Sequence, residues 1–328
     1  MKAIIPAAGV GTRLRPITNT TPKALVQVGD RPIIGHILDR IVDLDIEDIV
    51  IVIGHLGELI REYVSANYPK LKVDYIYQRE RLGLGHAIWL CGESVPDERE
   101  LLIIYGDTIV EGNLSDVFKT EGDGALGVRQ VPDPERFGIV EVQDGRIVRM
   151  VEKPATFVGN LALIGFNFIR KSKDLFAALN YIVENDIRTL GEIHLTDAFQ
   201  VMVEKGTDFR TFVVDGWFDC GKPDELIATN RHVIEQLQLQ PKGVDCVFIP
   251  PVYVAPDAEV KDSIIGPNVT ISSGAQIERC ILSDTVVNPG AVMRGCYLSH
   301  SLIGIEAVIN QPARNLLLGD YASIEGAL

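Results

Sequence analysis

The chain has 328 residues, 46% of them hydrophobic and 23% charged, enough for roughly two globular domains of ordinary size. Its net charge is −14, and both parts are acidic: residues 1–242 carry 27 Lys/Arg against 36 Asp/Glu, and residues 243–328 carry 4 against 9. With no basic tail or stripe, nucleic acid and anionic membrane are excluded as expected partners, and any phosphate must be held by a local cluster of cations and amides.

The first element is an apolar run, KAIIP, expected as a buried strand and followed by PAAGVGTRLRP at residues 6–16. Gly9 and Gly11 permit a tight turn with exposed amides. A Walker loop is ruled out because the Gly-Lys-Ser/Thr spacing is missing, and a dinucleotide fingerprint because its third glycine is Leu14. Three cations follow instead, Arg13, Arg15 and Lys23.

Through about residue 130, short apolar runs alternate with helical patterns. DIVIVIG (48–54) and ELLIIYG (100–106) read as buried parallel strands. PIIGHILDRIVDLD and LGELIREYVSANY carry apolar residues at helical spacing between them. Such alternation predicts a doubly wound α/β sheet with its ligands at the carboxyl ends of the strands, which puts the opening loop and YGDT (105–108) on one rim. From about 130 to 215 a hairpin is expected around Asp144-Gly145, then the strand LALIGFNFI, together forming a wall or lid over that rim. DELIATNRHVIEQLQ (224–238) closes this part as a helix, and 236–243 reads as a linker, giving domains 1–240 and 241–328.

In the tail, aliphatic residues recur at Val254, Val260, Ile265, Ile271, Ile277 and Leu282, with Gly, Asn, Asp and Ser between them. Steps of five or six predict a parallel β-helix of about 18 residues per coil, and the 77 residues from Val252 allow about four coils. Stacked coils leave flat faces suited to symmetric association, so a homo-oligomer is expected.

Several residues can carry chemistry. Asp107 follows a strand and a glycine on the phosphate rim, where a carboxylate makes electrostatic sense with magnesium between it and the phosphate; a turn cap is the alternative. Asp219, in GWFDCG, sits in an apolar setting as either a metal ligand or a buried ion-pair partner. Lys153 in VEKP is read alone as a surface lysine. Gln78, five residues before Gly83, can read a base edge, and His86 reads as a local hydrogen-bonding residue. No nucleophile–base pair argues for a covalent intermediate. The five cysteines lack a Cys-x-x-Cys pair, the six histidines lack zinc spacing, and no signal segment or membrane-length apolar run is present. A cytoplasmic protein with reduced thiols is expected.

Taken in order, GVGTR, PKAL, GLGHA, GDT, VEKP, GEIHLTDA and WFDCG resemble the motifs of the sugar-1-phosphate nucleotidyltransferases, also called nucleotide-sugar pyrophosphorylases. The resemblance covers residues 1 to about 237, and the hexad tail is similar to the left-handed β-helix that many members carry. GLGHA, GEIHLTDA and FDCG look like the bacterial UTP:glucose-1-phosphate uridylyltransferases. GTRLRPITNTTPKAL, GKPDELIATNR and the tail look more like long-form glucose-1-phosphate thymidylyltransferases, the subgroup favoured here.

The resemblance implies a Rossmann-like catalytic domain that uses Mg2+, a nucleoside triphosphate (dTTP or UTP) and a sugar 1-phosphate. It assigns the triphosphate to the amides of Ala8, Gly9, Gly11 and Thr12, and its charge and that of the sugar phosphate to Arg13 and Lys23. Gln78 and Gly83 would read the pyrimidine, and Asp107 and Asp219 would hold the metal. Lys153 would take the sugar phosphate, with Gly138, Glu152 and Asn160 around the sugar. Three positions depart from the family: Ala8 stands where Gly is common, Phe137 where many have Tyr, and Thr108 where Asn is familiar. Two other readings are weaker. A non-catalytic binding subunit should have lost a cation or an acidic ligand, and an acyltransferase tail should offer more than His300.

Overall fold

The computed structural model describes residues 1–96 and 98–311 and divides into two compact units between Val233 and Ile234. The first unit is built on a nine-stranded sheet. Strands β1 (Lys2–Pro6), β2 (Asp48–Ile53), β3 (Lys72–Tyr77) and β4 (Leu101–Ile104) are mutually parallel, in the order β4-β1-β2-β3. Ala3, Ile4 and Ile5 of β1 and Ile49 to Val52 of β2 are fully buried, which is why these runs are continuously apolar.

Helices α1 (Ile33–Asp43) and α2 (Gly57–Asn67) follow β1 and β2, within two residues of the periodic segments. A short β5 (Thr108–Glu111) leaves the sheet directly after β4. No helix among the described residues is long and apolar enough to cross a membrane.

Beyond β4 the sheet becomes mixed. β6 (Gly124–Gln130), β7 (Gly138–Gln143), β8 (Arg146–Glu152) and β9 (Leu161–Ile169) extend it, β9 running antiparallel to β4, β6 and β7. The 138–152 segment is the hairpin, with Asp144 at φ 50° and Gly145 at φ 75°, the left-handed pair of a tight turn. The inserted strands therefore continue the central sheet and raise a wall beside the rim.

Three helices, α3 (Leu84–Trp89), α4 (Ser172–Glu184) and α5 (Leu195–Glu204), pack around Phe199, Leu175 and Leu179, all buried. β10 (Phe209–Val213) pairs with β6, and β11 (Gly216–Asp219) pairs with β5, setting Asp219 opposite Thr108. α6 (Pro223–Gln236) ends where the linker was expected to begin.

The second unit is a parallel β-helix with three faces. One face stacks Val247, Ile264, Ile281 and Tyr297; a second starts from Val252 and Val269; a third stacks Glu259, Gln276, Val292 and Val308. Val260, Ile265, Ile271, Ile277 and Leu282 point inward as their spacing predicts, while Val254 is only partly buried. The coils are shorter than expected: the register advances 17 residues from Val247 to Ile264 and from Ile264 to Ile281, then 16 to Tyr297. Left-handed corners at Asp262 and Arg279 turn the chain in one residue fewer, which is the five-residue step visible in the sequence. Four rungs are complete on each face by Asn310, and the remainder of the expected tail, from residue 312, lies outside the described residues.

Candidate active site

Two cavities meet at the carboxyl ends of β1 and β4. The first, about 440 Å³, is lined by Ala8 to Thr12, Lys23, Gln78, Arg81, Gly83, Tyr105, Asp107 and Glu192. The second, about 250 Å³, is lined by Arg13, Asp107, Arg136, Gly138, Glu152, Lys153, His194, Thr196, Trp217 and Asp219. Leu84, Tyr105 and Asp107 belong to both.

The glycine loop is a cradle of free donors. Among the described residues, the N–H groups of Ala8 through Thr12 find no acceptor, whereas Ala7 N–H still bonds Val52 O at 2.8 Å. Gly9 has open space where a side chain would stand. Gly11 sits at φ 66°, and a Cβ there would lie 3.0 Å from both Lys23 and Thr18, so the turn packs directly on the next segment. Five amides without partners at the mouth of a cavity suit an anion. Ala8 in place of glycine keeps this arrangement: its methyl group packs beside Gly54.

Asp107 and Asp219 are brought together by the β5–β11 pairing, reinforced by a bond from Cys220 N–H to Asp107 O at 3.1 Å. Lys23 Nζ lies 2.5 Å from Asp107 Oδ2, with its side chain only 12% exposed. Burial opposes the lysine's charge, but Asp107 and then Asp219 outweigh it and raise its pKa. Asp219 is shifted upward too, by burial first and by the nearby Asp107 carboxylate second. Two crowded carboxylates beside an amide cradle present only hard oxygen donors. Among the described residues no group of three His, Cys, Asp or Glu gathers to complete a metal shell. Such a pair fits an ion that takes its remaining ligands from water and phosphate.

At the far end of the first cavity, Gly83 has φ 109°, and a Cβ would fall 2.5 Å from Ile193 O, so only glycine fits. Gln78 lies one residue beyond β3; its Nε2 donates to Gly83 O at 3.0 Å and approaches His86 Nδ1 at 3.3 Å. Burial lowers the His86 pKa, keeping the ring neutral and able to accept that bond. His86 is thus the local hydrogen-bonding residue expected of it.

The second cavity is organised around Glu152. Its Oε2 accepts from Thr196 Oγ1 at 2.6 Å, and its Oε1 faces His194 Nδ1 at 3.4 Å and Lys153 Nζ at 3.5 Å. Gly138 is required beside it: a Cβ would sit 2.7 Å from Thr196 Oγ1 and 3.0 Å from Glu152 Oε2. Phe137 packs edge-on against Trp217, with ring centroids 5.4 Å apart. The Trp217 indole N–H is buried without an acceptor in this cavity. Thr196→Val should raise the KM for whatever substrate this cavity binds about 10-fold with little loss of melting temperature, since it removes one hydrogen bond to a charged group. An unchanged KM would show that Glu152 does not depend on this bond.

The sequence-derived residues therefore fall into two groups. Ala8, Gly9, Gly11, Thr12, Lys23, Gln78 and Gly83 line the first cavity, Arg13, Gly138, Glu152, Lys153 and Asp219 the second, and Asp107 both. Asn160 joins neither. It is exposed and lines a separate hollow of about 560 Å³ with Pro132, Thr156 and Phe157, carried there by the 154–160 loop.

Residues that sequence reasoning did not single out are Arg136, His194, Thr196 and Trp217. Arg136 pairs with Glu225 at 2.7 Å and Asp133 at 2.6 Å and stands 3.9 Å from Asp219. Thr196, His194 and Trp217 all lie inside GEIHLTDA and WFDCG, so the motifs held the signal without assigning the roles.

Residues 2–236 match the family described as Nucleotidyl transferase. The chain is 32% identical to a glucose-1-phosphate thymidylyltransferase of Streptomyces griseus over 98% of both proteins. It is also 32% identical to a UTP–glucose-1-phosphate uridylyltransferase of Haloferax volcanii, over 72% of this chain and 98% of the other. A crystal structure from Bacillus anthracis, assigned as a glucose-1-phosphate thymidylyltransferase and solved with sucrose, superposes with a TM-score of 0.63 at 27% identity, covering 74% of this chain and 98% of that one. With its cleft and its sequence in agreement, the chain belongs to the nucleotidyl transferase family.

Proposed function

We propose that the protein transfers a nucleotidyl group from dTTP to glucose 1-phosphate, releasing pyrophosphate and forming a nucleotide sugar. The observation that carries this reading is the junction of an amide-lined cavity and a Glu152–Lys153 cavity at one carboxylate, Asp107. The amides of Ala8 to Thr12 would cradle the triphosphate, and Arg13, Lys23 and Lys153 would offset the charge of the phosphates. Glu152, held by Thr196, would accept hydrogen bonds from sugar hydroxyls. Asp107 and Asp219 would hold a magnesium ion, which supplies charge neutralisation at the reacting phosphates.

The sugar phosphate brings its own anionic oxygen to attack the α-phosphorus, so the protein's work is positioning and charge neutralisation. That agrees with the lack of a nucleophile–base pair. Gln78 spends its amide hydrogens on Gly83 O and His86, which leaves its oxygen to accept the N3–H of thymine or uracil. Cytosine and adenine present a lone pair at the corresponding edge and would face that oxygen unfavourably.

The thymidylyl reading is preferred because the Streptomyces griseus relative aligns through the tail as well as the catalytic unit. UTP is the second reading, favoured by the Haloferax volcanii relative and by a Gln78 pattern that suits uracil equally. Pyrophosphate release should be measured with magnesium, glucose 1-phosphate and each of dTTP, UTP, CTP, ATP and GTP. A preference of about 10-fold or more for dTTP or UTP over CTP is expected from one mispaired polar contact, and Gln78→Leu should erase it. A preference for CTP or ATP contradicts the base assignment. Silence with all five, and with other sugar 1-phosphates, would favour a binding subunit built on the same fold.

A further inference from the structure

Arg136 lines the second cavity, but both arms of its fork are spent inside the protein. Its Nη1 donates to Asp133 Oδ2 at 2.6 Å and its Nη2 to Glu225 Oε1 at 2.7 Å. Fixed in this way, Nη2 stands 3.9 Å from Asp219 Oδ2. The other oxygen of Asp219, Oδ1, accepts from Gly221 N–H at 2.8 Å. One side of this carboxylate is set by its own turn, the other by a cation anchored elsewhere.

Glu225 is the costly member of the group. Its Oε1 takes Arg136 and also lies 3.2 Å from Lys222 Nζ, while its Oε2 is buried and has no hydrogen-bond partner among the described residues. It adds to the negative charge that Asp107 already sets against Asp219. A third carboxylate in that place needs a cation between, and Arg136 supplies it. A buried carboxylate left half-satisfied calls for a task other than stability.

The same arginine belongs to the wall. It ends the turn Pro134–Arg136, directly before Phe137 and Gly138. Its guanidinium carbon lies 5.2 Å from the centre of the Phe137 ring, and Phe137 packs against Trp217, two residues before Asp219. Lys153 N–H bonds Phe137 O at 2.9 Å, carrying the connection to the Glu152–Lys153 end of the wall. Wall and carboxylate are therefore joined twice, by rings and by charge.

We propose that Arg136, clamped by Asp133 and Glu225, is a positioning residue that holds Asp219 for the divalent cation and ties it to the wall. This rests on the assignment of Asp107 and Asp219 to the metal made above. Outer partners that fix a ligating carboxylate are worth about 10- to 100-fold in metal affinity when lost. An arginine acting by charge alone would do the reverse: it repels the metal, so its removal would tighten binding. The sign of the change separates the two. The clamp also needs two donors in one plane, which lysine lacks.

Mn2+ titration of the full chain, followed by electron paramagnetic resonance of the free ion, tests this without turnover, so its outcome is separable from that of the pyrophosphate assay. Arg136→Gln should weaken Mn2+ binding about 10-fold, and Arg136→Lys, which keeps the charge, should weaken it nearly as much. Glu225→Gln should raise the KM for glucose 1-phosphate about 10-fold, although Glu225 lines neither cavity. Melting temperatures recorded alongside show that each variant is folded. Unchanged or tighter Mn2+ binding in Arg136→Gln overturns the proposal, as does parent binding in Arg136→Lys or a parent KM in Glu225→Gln. A parent that binds no Mn2+ overturns the metal assignment itself, and the proposal falls with it.

Discussion

Replacing Asp107 with asparagine should lower kcat by about 10³-fold while leaving the fold intact. That factor corresponds to about 4 kcal/mol of transition-state stabilisation, within reach of a group that serves charge neutralisation. The side chain stands where the two cavities join, and its Oδ2 takes Lys23 Nζ at 2.5 Å. Asparagine keeps the volume but withdraws one of two negative charges needed by a divalent cation. It also leaves the buried Lys23 ammonium to Asp219 alone. Steady-state kinetics at saturating nucleotide and sugar phosphate, with magnesium varied, would show the loss in kcat and a raised magnesium requirement. A kcat within a few-fold of the parent would remove Asp107 from the reaction.

Arg13→Ala is expected to cost about 10²–10³-fold in kcat/KM, comparable to losing one electrostatic stabiliser. The structural consequences should differ from those at Asp107. Arg13 is exposed and makes no ion pair with any described residue, so nothing in the folded chain relies on it. Its melting temperature should therefore stay within about 1 °C of the parent, as for surface substitutions generally. Lys at this position should recover part of the rate, because it returns the charge without the planar guanidinium fork. Parent kinetics in Arg13→Ala would mean that this side chain faces solvent throughout turnover.

The inner parallel strands β1, β2 and β4 were legible because each is buried on both sides and so reads as an unbroken apolar run, whereas the edge strand β3, KVDYIY, is at most half-buried. Ile49 to Val52 and Leu101 to Ile104 are the clearest cases. The Asp144-Gly145 hairpin was legible because left-handed turn residues announce themselves. The antiparallel placement of β9 was not, since nothing local in LALIGFNFI records which strands lie beside it. The β-helix period came out one to two residues too long because the five-residue steps at Val260–Ile265 and Ile277–Leu282 were averaged into the six-residue ones.

The site divides along the same line. Residues with a local reason for their position, such as Gly11, Gly83 and Asp107, could be found from the chain alone. Thr196 and Trp217 could not be given work, because their importance lies in what a distant strand sets against them: Glu152 in one case and Phe137 in the other. Asn160 illustrates the converse. The resemblance alone puts it beside the sugar, and the 154–160 loop sets it at a neighbouring hollow, so its surroundings add nothing to that expectation.

The most direct test follows the α-phosphorus itself. Purified protein would be incubated with magnesium and dTTP labelled at the α-phosphate, with and without glucose 1-phosphate, and the label traced by chromatography. The account predicts label in a nucleotide sugar, one pyrophosphate released per product, and no consumption of dTTP when the sugar phosphate is omitted. Label bound to protein, or pyrophosphate released without sugar phosphate, would contradict direct transfer between the two cavities.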